Sequence, residues 1–204
     1  MNTNRLPDPL EALGLGNPLL LSIEDVLSAA ECAALIARIE EAGPTDAPVT
    51  TSRGMVMMPE LRNNTRVMFD DGALAKLLFD RVSAALPPRL EKHWVLSGVN
   101  ERLRCYRYGP DEYFRPHYDG AWQPSADERS LLTFMVYLND VDAGGATAFP
   151  SLAHSVVPRA GRALLFNHRL LHESTTLEQG LKYAVRTDVM YRRDVAASGC
   201  YADA

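Results

Sequence analysis

From Trp94 onward the chain breaks into short β-forming runs divided by turn residues, and this constrains its fold more than any other feature. The runs are 94–108, 131–138, 146–149, 154–157, 162–167 and 182–191. Gly144-Gly145, Pro158 to Gly161 and Glu178 to Gly180 separate them with the residue types that turns require. Short strands at this spacing suit a sandwich or a jelly roll. The first third reads as helical. Ser28 is placed to cap a helix whose apolar residues Cys32, Leu35, Ile36 and Ile39 keep helical spacing, and Gly43-Pro44 ends it. A second helix is expected from about Gly72 to Leu86, with Leu74, Leu77, Leu78, Val82 and Leu86 inward and Pro87-Pro88 as its stop. The expected class is α+β, mainly β, with supporting helices at about 20–90 and a β core at about 94–192.

The 204 residues suit a single domain, 1–204, with a substantial core. No repeat, low-complexity tract or linker divides them. Hydrophobic residues at 47% and charged residues at 23% exclude a disordered chain. A net charge of -5 without a run of Lys or Arg argues against nucleic acid as the main partner. Cys32, Cys105 and Cys200 are an odd number without C-x-x-C spacing, against a disulfide framework or a cysteine zinc knuckle. Met1 to Leu10 lacks a signal-peptide hydrophobic stretch, and Leu19 to Ile23 is too short to span a bilayer. A cytoplasmic protein without a membrane partner is expected; oligomeric state has no signature in the sequence.

Candidate chemistry concentrates in His117-Tyr118-Asp119, with His172 lying 53 residues beyond Asp119. Residues two apart on an extended segment point the same way, so one imidazole and one carboxylate can approach an ion together. A second imidazole from another strand would complete the two-His, one-carboxylate set of non-haem Fe(II) sites, which leaves positions open for small molecules. H-x-D alone is a weak signal, and the distal segment strengthens it. Gly161-Arg-Ala-Leu-Leu-Phe166 is an apolar strand, His172-Glu-Ser follows, and Gly180 to Asp188 places Lys182, Ala184, Arg186 and Asp188 on one face. A cation on an inner strand face is costly unless an anion meets it, and a dicarboxylate would do so.

With these residues in view, Tyr106 to Tyr191 resembles the 2-oxoglutarate- and Fe(II)-dependent oxygenases, in their prolyl-hydroxylase-like branch. The matching stretches are Tyr108-Gly-Pro-Asp-Glu-Tyr-Phe-Arg-Pro-His117-Tyr-Asp119, Leu132-Thr133 through Tyr137-Leu-Asn139, Gly144-Gly-Ala-Thr147-Ala-Phe149, Pro158 to Phe166, and His172 through Lys182. The resemblance implies a double-stranded β-helix (jelly-roll) core braced by N-terminal helices, with Ser28 to Ile39 as one of them. It implies iron ligation, and so the catalytic centre, by His117, Asp119 and His172. Lys182 falls where this branch places the cation for the distal carboxylate of 2-oxoglutarate. Tyr108, Tyr137 and, more weakly, Thr133 fall on the wall of the cosubstrate pocket. Two features depart from the pattern: Asp111 replaces the glycine usual in the turn before the first ligand, and Arg186 accompanies Lys182 on its strand. Arg186 is an alternative partner for the distal carboxylate, for the substrate, or for a buried acid such as Asp188.

The activity so implied is hydroxylation of an unactivated C–H, with Fe(II), 2-oxoglutarate and O2 consumed or held, succinate and CO2 released, and ascorbate as a reductant. Asp119 retains the carboxylate ligand, which leaves no vacated position for chloride and favours hydroxylation over halogenation. The substrate is a peptide, an amino acid or a small metabolite. Gly120 to Glu128, with Trp122, reads as one wall of its entrance or as a solvated loop. Pro48 to Phe69 reads as an irregular loop or short hairpin, or as a lid. Within it, Arg53 to Arg66 offers Arg62, Asn63, Asn64 and Arg66 for carboxylate or amide recognition. Two rivals are a non-catalytic, cupin-like metal-binding jelly roll, and a zinc hydrolase with His168 and His172 on one helix. Leu170-Leu171 between those histidines reads as packing, which makes His168 a supporting residue; His93 and His154 read as surface or strand-end histidines.

Overall fold

The computed structural model describes the backbone of Thr3–Arg5 and residues 19–51, 54–91 and 93–194. Its longer elements are β1 (Leu20–Ile23), α1 (Ala29–Glu41), β2 (Thr65–Asp70), α2 (Gly72–Val82), β3 (Trp94–Val99) and β4 (Arg102–Tyr108). There follow β5 (Phe114–His117), β6 (Glu128–Tyr137), β7 (Thr147–Phe149), β8 (His154–Val156), β9 (Ala163–Asn167), β10 (His172–Ser174) and β11 (Lys182–Arg193). Pairing is antiparallel throughout these strands. The major sheet runs β1-β9-β6-β11-β4-β2 through its centre, and β5-β10-β7-β8 form a four-stranded minor sheet. The chain is thus mainly β, with two main antiparallel sheets and two supporting helices.

Period-two alternation divides the major sheet into two faces. Leu132, Phe134 and Val136 of β6, Leu103 and Cys105 of β4, and Val185 and Val189 of β11 pack in one core with Leu35 and Ile39 of α1 and Leu78 and Val82 of α2. The intervening residues look the other way, toward the minor sheet: Tyr137, Leu164, Phe166 and Ala184 cluster with Phe149 and Val156. The helices therefore brace one face and leave the other for the site.

Local chemistry holds the helices where the sequence expects them. Ser28 and Glu31 form a reciprocal capping box at α1. Glu31 then takes both Arg81 guanidinium nitrogens at 2.8 Å, tying α1 to α2. Helix α2 ends at Val82, and Ser83–Ala85 tightens into a 3-10 turn before the prolines. Gly161 anchors the helical segment to the β core. Its carbonyl accepts from the Val26 N–H at 2.8 Å, its φ is +77°, and a Cβ there would lie 2.1 Å from the Leu27 carbonyl oxygen.

Pro48 to Phe69 is more regular than its composition indicates. Val49–Thr51 pairs with Gly54–Val56 as a hairpin, and Thr65–Asp70 joins the major sheet beside β4. The short-hairpin expectation therefore holds for Val49–Thr51 with Gly54–Val56, whereas Thr65–Asp70 is regular sheet rather than loop. Its alternation is present, with Val67 and Phe69 toward the helices, but Arg66 and Met68 on the opposite face disguise it. Arg53 and Cys200 lie outside the described residues.

Candidate active site

The site forms where β5 and β10 pair. His117 stands directly opposite His172 in register, bringing their ring centroids to 4.3 Å. Asp119 lies just beyond the end of β5, its N–H donating to the His168 carbonyl at 3.1 Å, and its Oδ2 is 3.5 Å from His172 Nε2. One ligand atom from each of these three side chains lies within 4.8 Å of the others. His117 Nδ1 meets the Arg115 carbonyl at 2.8 Å, and His172 Nδ1 meets the Leu170 carbonyl at 2.9 Å. Since a carbonyl only accepts, both Nδ1 atoms carry the proton and both Nε2 lone pairs are free for a cation. Burial, reinforced by His172, pushes the His117 imidazole down to about 3; burial also lowers His172. Both rings are therefore neutral, as metal ligation requires.

Burial alone would raise the Asp119 carboxyl. Arg186 and the two histidines reverse that effect, helped by Thr133, so its pKa lies below the ordinary carboxylate range. The Thr133 hydroxyl donates to Asp119 Oδ2 at 2.6 Å and so must accept from His168 Nδ1 at 2.9 Å. His168 Nε2 then accepts from the Ser130 hydroxyl at 2.8 Å, which in turn accepts from the Trp122 N–H at 2.8 Å. A directed chain of hydrogen bonds thus runs from the Trp122 loop to the carboxylate. Burial holds His168 down at about 4, which keeps the ring neutral and able to take part.

A cleft leads from His117, Asp119 and His172 to Lys182, passing Tyr108, Thr147 and Ser174. Lys182 is 1% exposed; its Nζ donates to the Gly145 carbonyl at 2.6 Å and the Ser174 hydroxyl at 2.7 Å. No carboxylate pairs with it among the described residues, and burial pushes its amine down to about 7. Gly145, at φ +65°, turns the backbone that presents this carbonyl. The Tyr108 ring lies 4.8 Å from Nζ, and burial pushes its phenol up to about 12, so it remains a neutral donor. The donor triad fits a divalent ion, and the unpaired buried cation fits the far end of a dicarboxylate.

Other sequence candidates meet different fates. Tyr137 turns its hydroxyl to Thr147 Oγ1 at 2.6 Å, while its ring centroid stays 5.7 Å from Lys182 Nζ. Thr133 lines the cleft, but its hydroxyl is engaged by Asp119. Arg186 pairs with Asp119 Oδ1 and Asp188 Oδ1, both at 3.1 Å. Burial opposes its charge, and the two acids outweigh burial and raise its pKa above the ordinary value. Asn63 and Asn64 serve the loop. The Asn63 side chain bonds the Tyr113 N–H and the Asp111 carbonyl, and that of Asn64 bonds Arg62 Nε and the Thr65 carbonyl. Asp111 has φ +66°, which explains why glycine suits this turn and why aspartate, tolerant of that region, can replace it. Ser174 was not singled out in the sequence, although its place two residues after His172 on a strand puts it on the same face.

His168 lies in a turn and His172 in β10, so the two do not share a helix and the zinc-hydrolase arrangement is absent. His93 is exposed and His154 opens β8, as expected. Leu170 is buried in the second core.

Residues 103–187 match the sequence model of the 2OG-Fe(II) oxygenase superfamily. Among curated proteins, prolyl 4-hydroxylase subunit alpha-2 of Gallus gallus is 34% identical over 71 residues, which are 32% of this chain and 13% of the relative. The chain thus spans a small fraction of that protein. Among solved structures, the viral collagen prolyl hydroxylase of Paramecium Bursaria Chlorella virus-1 superposes with a TM-score of 0.59 at 21% identity, covering 85% of this chain and 96% of that one. A Pseudomonas putida prolyl-4-hydroxylase gives a TM-score of 0.59 at 18% identity, covering 86% and 92% respectively. At these identities the superpositions speak for the fold.

Proposed function

We propose that the protein, whose residues 103–187 match the 2OG-Fe(II) oxygenase superfamily and resemble prolyl 4-hydroxylases, is a 2-oxoglutarate-dependent hydroxylase acting on a peptide, amino acid or small metabolite. His117, Asp119 and His172 would hold Fe(II) through two Nε2 atoms and a carboxylate oxygen. When bound, Fe(II) with 2-oxoglutarate and O2 supplies the oxidation, one oxygen atom entering a substrate C–H bond and the other the succinate released with CO2. Lys182 meets the distal carboxylate, with Ser174 and Tyr108 beside it. Thr133 and His168 orient the Asp119 carboxylate. Phe114 and Phe166 form dry walls that strengthen these polar contacts.

The observation that carries this reading is the buried Lys182 ammonium without a carboxylate, lining the same cleft as the three candidate ligands. A cupin-like binding module would need Lys182 and Tyr108 to lie apart from the metal position; both line that cleft. On this reading residues 1–204 form one jelly-roll oxygenase domain braced by its helices, with ascorbate as an accessory reductant. Cytoplasmic residence is part of it, supported by Cys32 and Cys105, which are buried free thiols. Among the described residues no helix is long and apolar enough to cross a membrane.

The test is spectroscopic. Anaerobic Fe(II) plus 2-oxoglutarate should produce a weak visible charge-transfer band with the wild type, lost in His172→Ala. An absent wild-type band, or an unchanged one in the variant, refutes the assignment. Screening succinate formation across amino acids, peptides and small metabolites then identifies the substrate by its stimulation above uncoupled turnover.

A further inference from the structure

A second cavity, of about 480 Å³, opens on the outer side of His117 and Asp119 and is lined by Arg62, Arg66, Arg104 and Arg186. Register explains the gathering. Arg104 of β4 stands opposite Arg186 of β11, while Arg66 of β2 stands opposite Tyr106, two residues from Arg104. Three adjacent strands therefore present guanidinium groups on one face, and like charges on paired strands repel. In a chain of net charge -5 this concentration of cations is local, set by strand register and not by composition.

The available acids offset only part of it. Asp188 takes Arg104 at 3.1 Å and Arg186 at 3.1 Å, and Asp119 takes Arg186. Arg62 is 3% exposed, its guanidinium carbon 4.7 Å from the Tyr106 ring centroid and 4.5 Å from that of Phe114, and its Nη2 lacks a partner. Among the described residues Arg66 makes one side-chain hydrogen bond, to the weak acceptor Met55 Sδ at 3.6 Å. Among the described residues no carboxylate pairs with Arg62 or Arg66. Burial, with Arg62 and Arg104 close by, lowers the Arg66 pKa below its ordinary value. A cavity with this balance demands an anion, and a guanidinium fork with free donors grips an oxyanion bidentately.

That anion is not the far end of 2-oxoglutarate. Lys182 and Arg186 are four residues apart on β11, about 13 Å by strand rise, and Arg66 and Arg104 lie at the Arg186 end. We infer that the substrate carries an anionic oxygen group, a carboxylate or a phosphate, received by Arg66 with Arg104 at the cavity mouth, so that a neutral peptide segment is not the preferred substrate. This rests on the oxygenase reading and gives it a substrate class. Arg62 is a positioning residue here: it supplies field from behind the ring pair rather than contact.

The experiment uses calorimetric titration of the full chain loaded with Mn(II) and 2-oxoglutarate without O2. The probes are N-acetyl-L-proline against N-acetyl-L-prolinamide, hexanoate against hexanamide, and inorganic phosphate. The acids should bind about tenfold tighter than their amides, and Arg66→Gln should reduce this preference to about threefold or less while Arg66→Lys keeps part of it. Phosphate displacing hexanoate identifies a phosphate-bearing substrate; hexanoate resisting displacement identifies a carboxylate. Equal affinity of acid and amide, no binding of either, or a preference that survives Arg66→Gln overturns the inference. The Fe(II)–2-oxoglutarate band separates the two readings. Its absence in the wild type defeats the oxygenase assignment, whereas its presence without an anion preference defeats this inference alone. Loss of the band in Arg66→Gln would also overturn it, by placing that guanidinium at the cosubstrate end.

Discussion

Replacing Lys182 with methionine should make the metal-free protein more stable at low pH while removing its hold on 2-oxoglutarate. Burial takes the amine from its ordinary 10.5 to about 7. At about 1.4 kcal/mol per pH unit that fall represents roughly 5 kcal/mol against the charged form. Methionine fills much the same volume without the charge, but forfeits the bonds to the Gly145 carbonyl and the Ser174 hydroxyl. Stranding those two acceptors costs about 1–3 kcal/mol in total, since Ser174 can turn toward Tyr108. The net gain is about 2–4 kcal/mol near pH 6, or a rise of about 4–16 °C in Tm for a chain of this size. The sign follows from proton linkage. Between about pH 7 and 10.5 the unfolded lysine is protonated and the folded one is not, so wild-type stability rises with pH across that window. Lys182→Met lacks this rise, and its advantage should shrink steadily and reverse by about pH 10. Urea melts of both proteins at about pH 6, 8 and 10, with tryptophan fluorescence as the probe, measure the difference directly. Parallel pH profiles would refute the argument, as would undiminished 2-oxoglutarate affinity in the variant.

Two further expectations follow from contacts already described. Thr133→Val removes the donor to Asp119 Oδ2 and the acceptor for His168 with little change of volume. Affinity for Co(II) or Mn(II), measured by titration, should fall about 10–100-fold with little change in melting behaviour. Unaltered affinity would show that the hydrogen-bond chain does not orient the carboxylate. Gly161→Ala forces a Cβ toward the Leu27 carbonyl at a backbone angle of φ +77°. It should cost about 3 kcal/mol in urea unfolding, and a loss under about 1 kcal/mol would mean that the turn relaxes freely.

Helices α1 and α2 were legible because their signals are local: a capping serine, 3.6-residue spacing and a proline stop act within a few residues. The strand at Thr65–Asp70 was obscured by the make-up of its two faces. Val67 and Phe69 pack toward the helices, but the opposite face carries Arg66 and the exposed, apolar Met68, so Val67-Met68-Phe69 reads as a continuous apolar run and the alternation is masked. The minor-sheet strand Phe114–His117 is similarly hidden, with Arg115 and Pro116 in its middle.

The residue types and order of the candidate site were readable without coordinates. His117, Asp119, His172 and Lys182 form a chemically coherent set, and period-two geometry already separated the Lys182–Arg186 face from its apolar neighbours. Several assignments awaited the fold. Cross-strand register put His117 opposite His172, gave Arg186 to Asp119 and Asp188, turned Tyr137 toward Thr147, and left Lys182 without an acid. A sequence states which side chains share a strand face, because that depends on backbone period alone. Which charge meets which depends on the lateral order of strands brought together from distant parts of the chain, and only the closed tertiary structure sets that order.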